Sequence, residues 1–179
     1  MTRTCAALAV MLACALHAAC GYTLAGRGSF LPDYIETIGI PLFDNDTSAF
    51  EVEQIVTQEV RQEFIGRGRY RVLPDTTGVD AVLEGAIRNI RIAPASFTDD
   101  QQASRYVFTL TARIAFTDLT TNEVLWQNPN LQFSDEYEVA SGGGDVQSVS
   151  AFFGQRSNAV ERIAQDFAET VVSSILEAF

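Results

Sequence analysis

Tyr106, Phe108, Leu110, Ala112, Ile114 and Phe116 are every second residue in an unbroken run, with Thr109, Thr111 and Arg113 among the residues between them and Thr117 directly after. Side chains of a strand point alternately to opposite faces, so this pattern makes one apolar stripe and one largely polar stripe. A helix of the same sequence would scatter both sets around its axis. The run predicts a strand of about a dozen residues with one face buried. Any fold for this chain has to cover that face and leave the other one accessible.

The flanking segments supply the neighbours. Residues 80–93 alternate loosely and predict a long strand, joined to the first by a polar hairpin connection at 95–102. Residues 118–122 (DLTTN) form a tight turn, and 123–139 predict a last strand kinked at Pro129. Upstream, 36–42 predict a short strand near an edge, 43–47 (FDNDT) a turn, and 70–73 another short strand. Ser48 and Glu51 match a capping box, in which serine and glutamate satisfy each other's backbone amides. Val52, Ile55, Val56, Val60 and Phe64 then recur at helical spacing as far as Gly66. A final helix is predicted over 153–176, with Val160, Ile163, Ala164, Phe167, Val171 and Ile175 on its buried side. The expected fold is α+β: a two-layer sandwich of two amphipathic helices on one face of a mostly antiparallel four- to five-stranded sheet.

The N-terminus carries an address. Arg3 supplies a positive start, residues 5–16 are apolar, and Ala18-Ala19-Cys20 ends the segment like a lipobox. The apolar run is short for a bilayer span, so it predicts a secretion signal. Residues 1–19 are then removed and Cys20 is acylated. His17 departs from the usual lipobox leucine, and the competing reading is an ordinary cleavage that leaves a free thiol; Cys14 is a weaker alternative site. The domain layout is signal peptide 1–19, lipid-anchored tether 20–34, and one domain at 35–179.

Removing residues 1–19 discards the one His, both Met, Cys5 and Cys14. All 12 basic residues are Arg, and the mature chain keeps 11 of them against 23 acidic residues, a net charge of −12. Imidazole bases, Schiff-base lysines and His/Cys metal sites are thereby excluded, as is an internal disulfide. The acidic balance disfavours nucleic acid as a partner. No cofactor is expected and an enzyme is not.

Cys20-Gly21-Tyr22, Leu31-Pro32, IGIPLFDNDT (38–47), a glutamate-bearing helix, RYRVL (69–73) and DAVLEG (80–85) follow one another in an order that resembles the lipopolysaccharide-assembly lipoprotein family, LptE-like. The resemblance covers the mature chain and is clearest over 20–87. It implies a protein anchored by acylated Cys20 on the periplasmic side of the outer membrane. Such a protein plugs a large LptD-type β-barrel, assists its assembly and binds lipopolysaccharide. It also implies a two-helix, one-sheet fold. The alternative is an envelope lipoprotein adaptor of the same fold serving another outer-membrane partner.

One departure limits the transfer of a ligand site. In the family, basic residues on the central hairpin and on the loop before the last helix are implicated in glycolipid contact. The matching stretches here, FTDDQQ (97–102) and SGGGD (141–145), contain no Arg. Arg88, Arg91 and Arg105 flank the hairpin and are the candidate displaced basic patch; the competing reading makes them solvated strand-face residues. Asp99, Asp100 and Asp145 could instead meet basic groups in the barrel or bridging divalent cations.

Other constellations are weaker. Asp44-Asn45-Asp46 lacks the spacing of a calcium loop, and Gly142-Gly143-Gly144 lacks the lysine of a phosphate loop. Trp126, Phe133 and Tyr137 are expected in the core or at a partner contact rather than stacking a ligand. Glu84, Glu123, Asp135 and Glu136 are the carboxylates available for paired acid chemistry, and no spacing in the sequence brings two of them together.

Overall fold

The computed structural model describes residues 31–67, 69–97, 103–138 and 146–177. The expected signal peptide, Cys20, most of the tether, and Asp99, Asp100 and Asp145 lie outside the described residues. The chain forms β1 (Thr37–Gly39), β2 (Asp44–Asn45), α1 (Val52–Gly66), β3 (Arg71–Leu73), β4 (Ala81–Phe97), β5 (Ala103–Asp118), β6 (Glu123–Glu138) and α2 (Val146–Leu176). The sheet runs β3-β1-β4-β5-β6, with β2 also paired to β4. The long strands β4, β5 and β6 are an antiparallel meander, while β1 is parallel to β3 and β4, and β2 is parallel to β4.

The period-two stripe organises the core. Phe108, Leu110, Ala112, Ile114 and Phe116 are all fully buried. Leu83, Ile87 and Ile90 face them from β4, and Trp126, Leu131 and Phe133 from β6. The helices close over this face. Phe64 of α1 stacks on Phe116 with centroids 6.5 Å apart, and Phe167 of α2 meets Phe133 edge-on at 5.4 Å. Each such side chain contributes about 1.5–3 kcal/mol by leaving water. Phe43 also reaches Phe167, at 6.5 Å. It can lie there because Gly85 has no side chain: a Cβ at that position would come within 2.7 Å of the Phe43 ring.

The α+β organisation of two helices and one sheet is as expected, but the sheet has six strands rather than four or five. The extra strand is β2, part of the segment read as a turn. Between the pairs Gly39↔Val82 and Asp44↔Ala86, the β1–β2 side holds one residue more than β4. That mismatch lifts residues 40–43 off the ladder, and helix α1 takes up the freed backbone groups. Arg61 donates twice to the Ile40 carbonyl, at 2.9 and 2.7 Å. The Phe43 amide donates to Thr57 Oγ1 at 3.0 Å, and that hydroxyl donates to the Glu53 carbonyl at 2.6 Å.

The predicted capping box does not form. The helix starts at Val52, and Glu51 caps it in a left-handed conformation (φ 71) without a side-chain hydrogen bond. Asn45 organises the entry instead. Its amide donates to the Ala49 carbonyl (2.8 Å) and to Glu53 (2.7 Å), and its oxygen accepts the Thr47 amide (2.9 Å). Helix α2 begins at Val146 rather than 153, and β4 continues to Phe97 rather than stopping at 93. The kink expected at Pro129 is present as a shift in register between the Ala112↔Leu131 and Ile114↔Asn128 pairs.

Asp118, at the end of β5, is fully buried. It ties the N-terminal segment to the β5–β6 turn. Its Oδ2 accepts the Tyr34 hydroxyl and Thr121 Oγ1, the latter at 3.0 Å, and its Oδ1 accepts the Thr120 amide at 2.7 Å. Burial pushes its pKa up, but these hydrogen bonds to the charged form outweigh burial and leave the carboxyl below its ordinary value. A carboxyl depressed in the folded state adds stability above its unfolded pKa of about 4, and that stability is lost as pH falls toward the lower folded value.

Two outcomes are expected. Thr57→Val should cost about 1–3 kcal/mol in urea unfolding, because the Phe43 amide loses its acceptor, while Thr57→Ser should recover most of the loss. Asp118→Asn should be less stable than the parent at neutral pH. The gap should narrow below about pH 4, as the parent's carboxylate is protonated, when both are followed by thermal unfolding across pH.

Candidate functional site

Residues 31–179 contain no His, Lys or Cys, so the chemistry of the domain rests on its arginines, carboxylates and polar sheet surface. The surface opposite the helices is built by the other half of the β5 alternation. Thr109, Thr111, Arg113 and Thr117 point there, joined across the register by Gln127, Gln132, Ser134, Glu136 and Glu138 of β6 and by Glu84, Asn89 and Arg91 of β4. Thr109 and Ser134 share a hydrogen bond of 3.2 Å. Among the described residues no helix lies on this face, and the side chains just named are half-buried or exposed.

The three candidate arginines occupy different electrostatic settings. Arg88 sits at a register shift of β4 and forms an ion pair with Asp46. Arg105 of β5 reaches across to two carboxylates of β6, Glu136 at 3.4 Å and Glu138 at 3.2 Å. Arg91 is exposed and forms no ion pair among the described residues. Through the pairs Arg91↔Thr109 and Ser96↔Arg105, Arg91 and Arg105 share the polar face. Four residues of strand separate them, about 13 Å.

The carboxylates considered for paired acid chemistry are spread out. Glu84 lies opposite Ala115, whereas Glu136 lies opposite Val107, eight residues away along β5 and so about 26 Å distant. Glu123 begins β6 and Asp135 sits near its other end, bound to Arg162 at 2.5 Å. Among the described residues, no group of three or more His, Cys, Asp or Glu is placed to hold a metal ion. The aromatic residues belong to the packing: Trp126 pairs with Phe116 in the register, Phe133 meets Phe167, and Tyr137 stacks on Tyr106 at 5.8 Å.

Two clefts were not anticipated from the sequence. A notch of about 240 Å³ on the polar face is lined by Asp44, Glu84, Arg113, Gln127 and Pro129. A larger one of about 460 Å³ lies at the β3 edge, between Asp33, Ile35, Glu36 and Thr37 on one side and Arg69 and Arg71 on the other. The two-residue spacing of Arg69 and Arg71 was a usable signal, since it places both on one side of an extended chain. The approach of residues 33–37 to them was not visible, because the parallel pairing of β1 with β3 is a tertiary fact.

A family model described as LptE, lipopolysaccharide-assembly, matches residues 35–175. A search of curated protein sequences found no match. Among solved structures, the chain is similar to uncharacterized lipoprotein B from Nitrosomonas europaea, with a TM-score of 0.53 and 14% identity over 87% of this chain and 90% of that one. It is similar to a minor lipoprotein from Acinetobacter baumannii, with a TM-score of 0.51 and 11% identity over 82% of this chain and 95% of that one. The hypothetical protein CT253 from Chlamydia trachomatis gives a TM-score of 0.51 and 9% identity over 78% and 97% of the two chains. At these identities the likeness is one of fold. The family match spans β1 to α2, every element of the fold, and the chain belongs to the LptE family of lipopolysaccharide-assembly proteins.

Proposed function

We propose that this chain is an outer-membrane lipoprotein subunit of a lipopolysaccharide translocon, anchored on the periplasmic side by acylated Cys20. In this reading it occupies the lumen of an LptD-type β-barrel, assists assembly of that barrel, and acts without catalysis. The observation that carries it is the family match over residues 35–175.

The surface chemistry supports the same role. The lumen of a large outer-membrane barrel is polar. A plug needs a rigid body with polar faces, and the Thr-, Gln- and Ser-rich side of the sheet is such a face, backed by a core of fully buried aromatic and aliphatic side chains. Glycolipid contact is assigned to Arg88, Arg91 and Arg105. A phosphate there has to compete with Asp46 at Arg88 and with Glu136 and Glu138 at Arg105, while Arg91 offers its guanidinium without such a competitor among the described residues.

Affinity purification of the tagged chain from detergent-solubilised outer membrane should bring down a β-barrel of LptD type; recovery of the chain alone would refute the assignment. Metabolic labelling with a radioactive fatty acid should mark the chain and fail to mark a Cys20→Ser variant. Label retained in that variant would place the acyl group elsewhere.

A further inference from the structure

The cleft at the β3 edge has no part in that role, and its walls are complementary in charge to a particular kind of ligand. Tyr70 turns inward to meet Phe64 at 6.4 Å, which leaves Arg69 and Arg71 on the cleft side of the chain. Facing them are Asp33 and Glu36, and the buried Thr37 and Ile35 also line the cleft. Arg69 touches Asp33 at 3.0 Å, a contact in which the Asp33 side chain stays 95% exposed. Arg71 donates to Thr37 Oγ1 at 3.1 Å and forms no ion pair among the described residues. Neither does Glu36.

Two cations and two carboxylates therefore line a cleft of about 460 Å³, with one pair, Arg69 and Asp33, already in contact. A simple anion drawn to the arginines is opposed by Asp33 and Glu36, and a simple cation meets the reverse. A ligand that carries a phosphate and an ammonium a short distance apart satisfies both walls at once. We propose that this cleft binds a zwitterionic phosphoamine head group, with its phosphate on Arg69 and Arg71 and its ammonium against Asp33 and Glu36. A membrane lipid and a soluble phosphoamine share this chemistry. Leu31 is buried where the chain enters the described fold, and Cys20 lies eleven residues earlier, about 36–40 Å of extended chain at most. That proximity favours the lipid, a point that rests on the proposed anchor at Cys20; the head-group site itself does not.

The test uses the full-length Cys20→Ser chain, so that vesicle binding through an acyl anchor does not contribute. Calorimetric titration with O-phosphoethanolamine should saturate. Inorganic phosphate alone and ethanolamine alone should each bind roughly tenfold more weakly or worse, as expected for losing one charged hydrogen-bonded contact. Arg69→Gln with Arg71→Gln, and separately Asp33→Asn with Glu36→Gln, should weaken the zwitterion by a similar factor. Asp33→Asn alone changes an exposed group and keeps the comparison valid if a double variant unfolds early. Phosphate binding as tightly as the zwitterion, carboxylate variants binding more tightly, or no saturable heat would each overturn the proposal. Competition of the free head group with phosphatidylethanolamine vesicles identifies a lipid ligand; head-group binding that leaves vesicle binding unchanged identifies a soluble one.

Discussion

Burial of a single face of β5 is the constraint on which the rest of the structure depends. Phe108, Leu110, Ala112, Ile114 and Phe116 present a continuous apolar ridge that is wholly removed from water. The helices differ in length and lie far apart in sequence, yet both end on this ridge or on its neighbours in β6. The period of two that fixes the ridge also fixes its reverse. Each inward phenylalanine or isoleucine leaves a threonine, arginine or alanine facing out, so a one-residue slip in register would put the core on the surface.

What could be read directly was whatever is set by a repeat in the chain. The long strands, both helices and the buried set on α2 follow from periodicity, and all six residues named there are buried. What could not be read was set by pairing between distant segments. Ser48 and Glu51 carry the letters of a capping box, but Asn45 outcompetes them, because β2 holds it beside β4 and aims its side chain at Ala49 and Glu53. Asp118 reads as an ordinary turn aspartate. It is buried and accepts a hydrogen bond from Tyr34, 84 residues away. The Arg88 and Arg105 ion pairs likewise need a sheet register that no local pattern encodes.

The two sides of the sheet divide along the same line: one packs against the helices, and the other is a broad polar surface. With 23 acidic residues against 12 arginines and no lysine in the chain, five of the exposed arginines among the described residues, Arg67, Arg69, Arg88, Arg105 and Arg162, are already matched to carboxylates. A glycolipid or head group that binds such a surface has to exchange one charged partner for another, which makes affinity dependent on the pairing of both charges rather than on net attraction.

The central claim is that the polar side of the sheet faces the wall of a barrel lumen, and site-specific photo-crosslinking in intact cells addresses it most directly. A photoreactive residue at Thr111, in the middle of that face, should yield an adduct with an LptD-type barrel. A chain recovered in the outer membrane with Thr111 uncrosslinked, or crosslinked to a protein other than a barrel, would contradict the account.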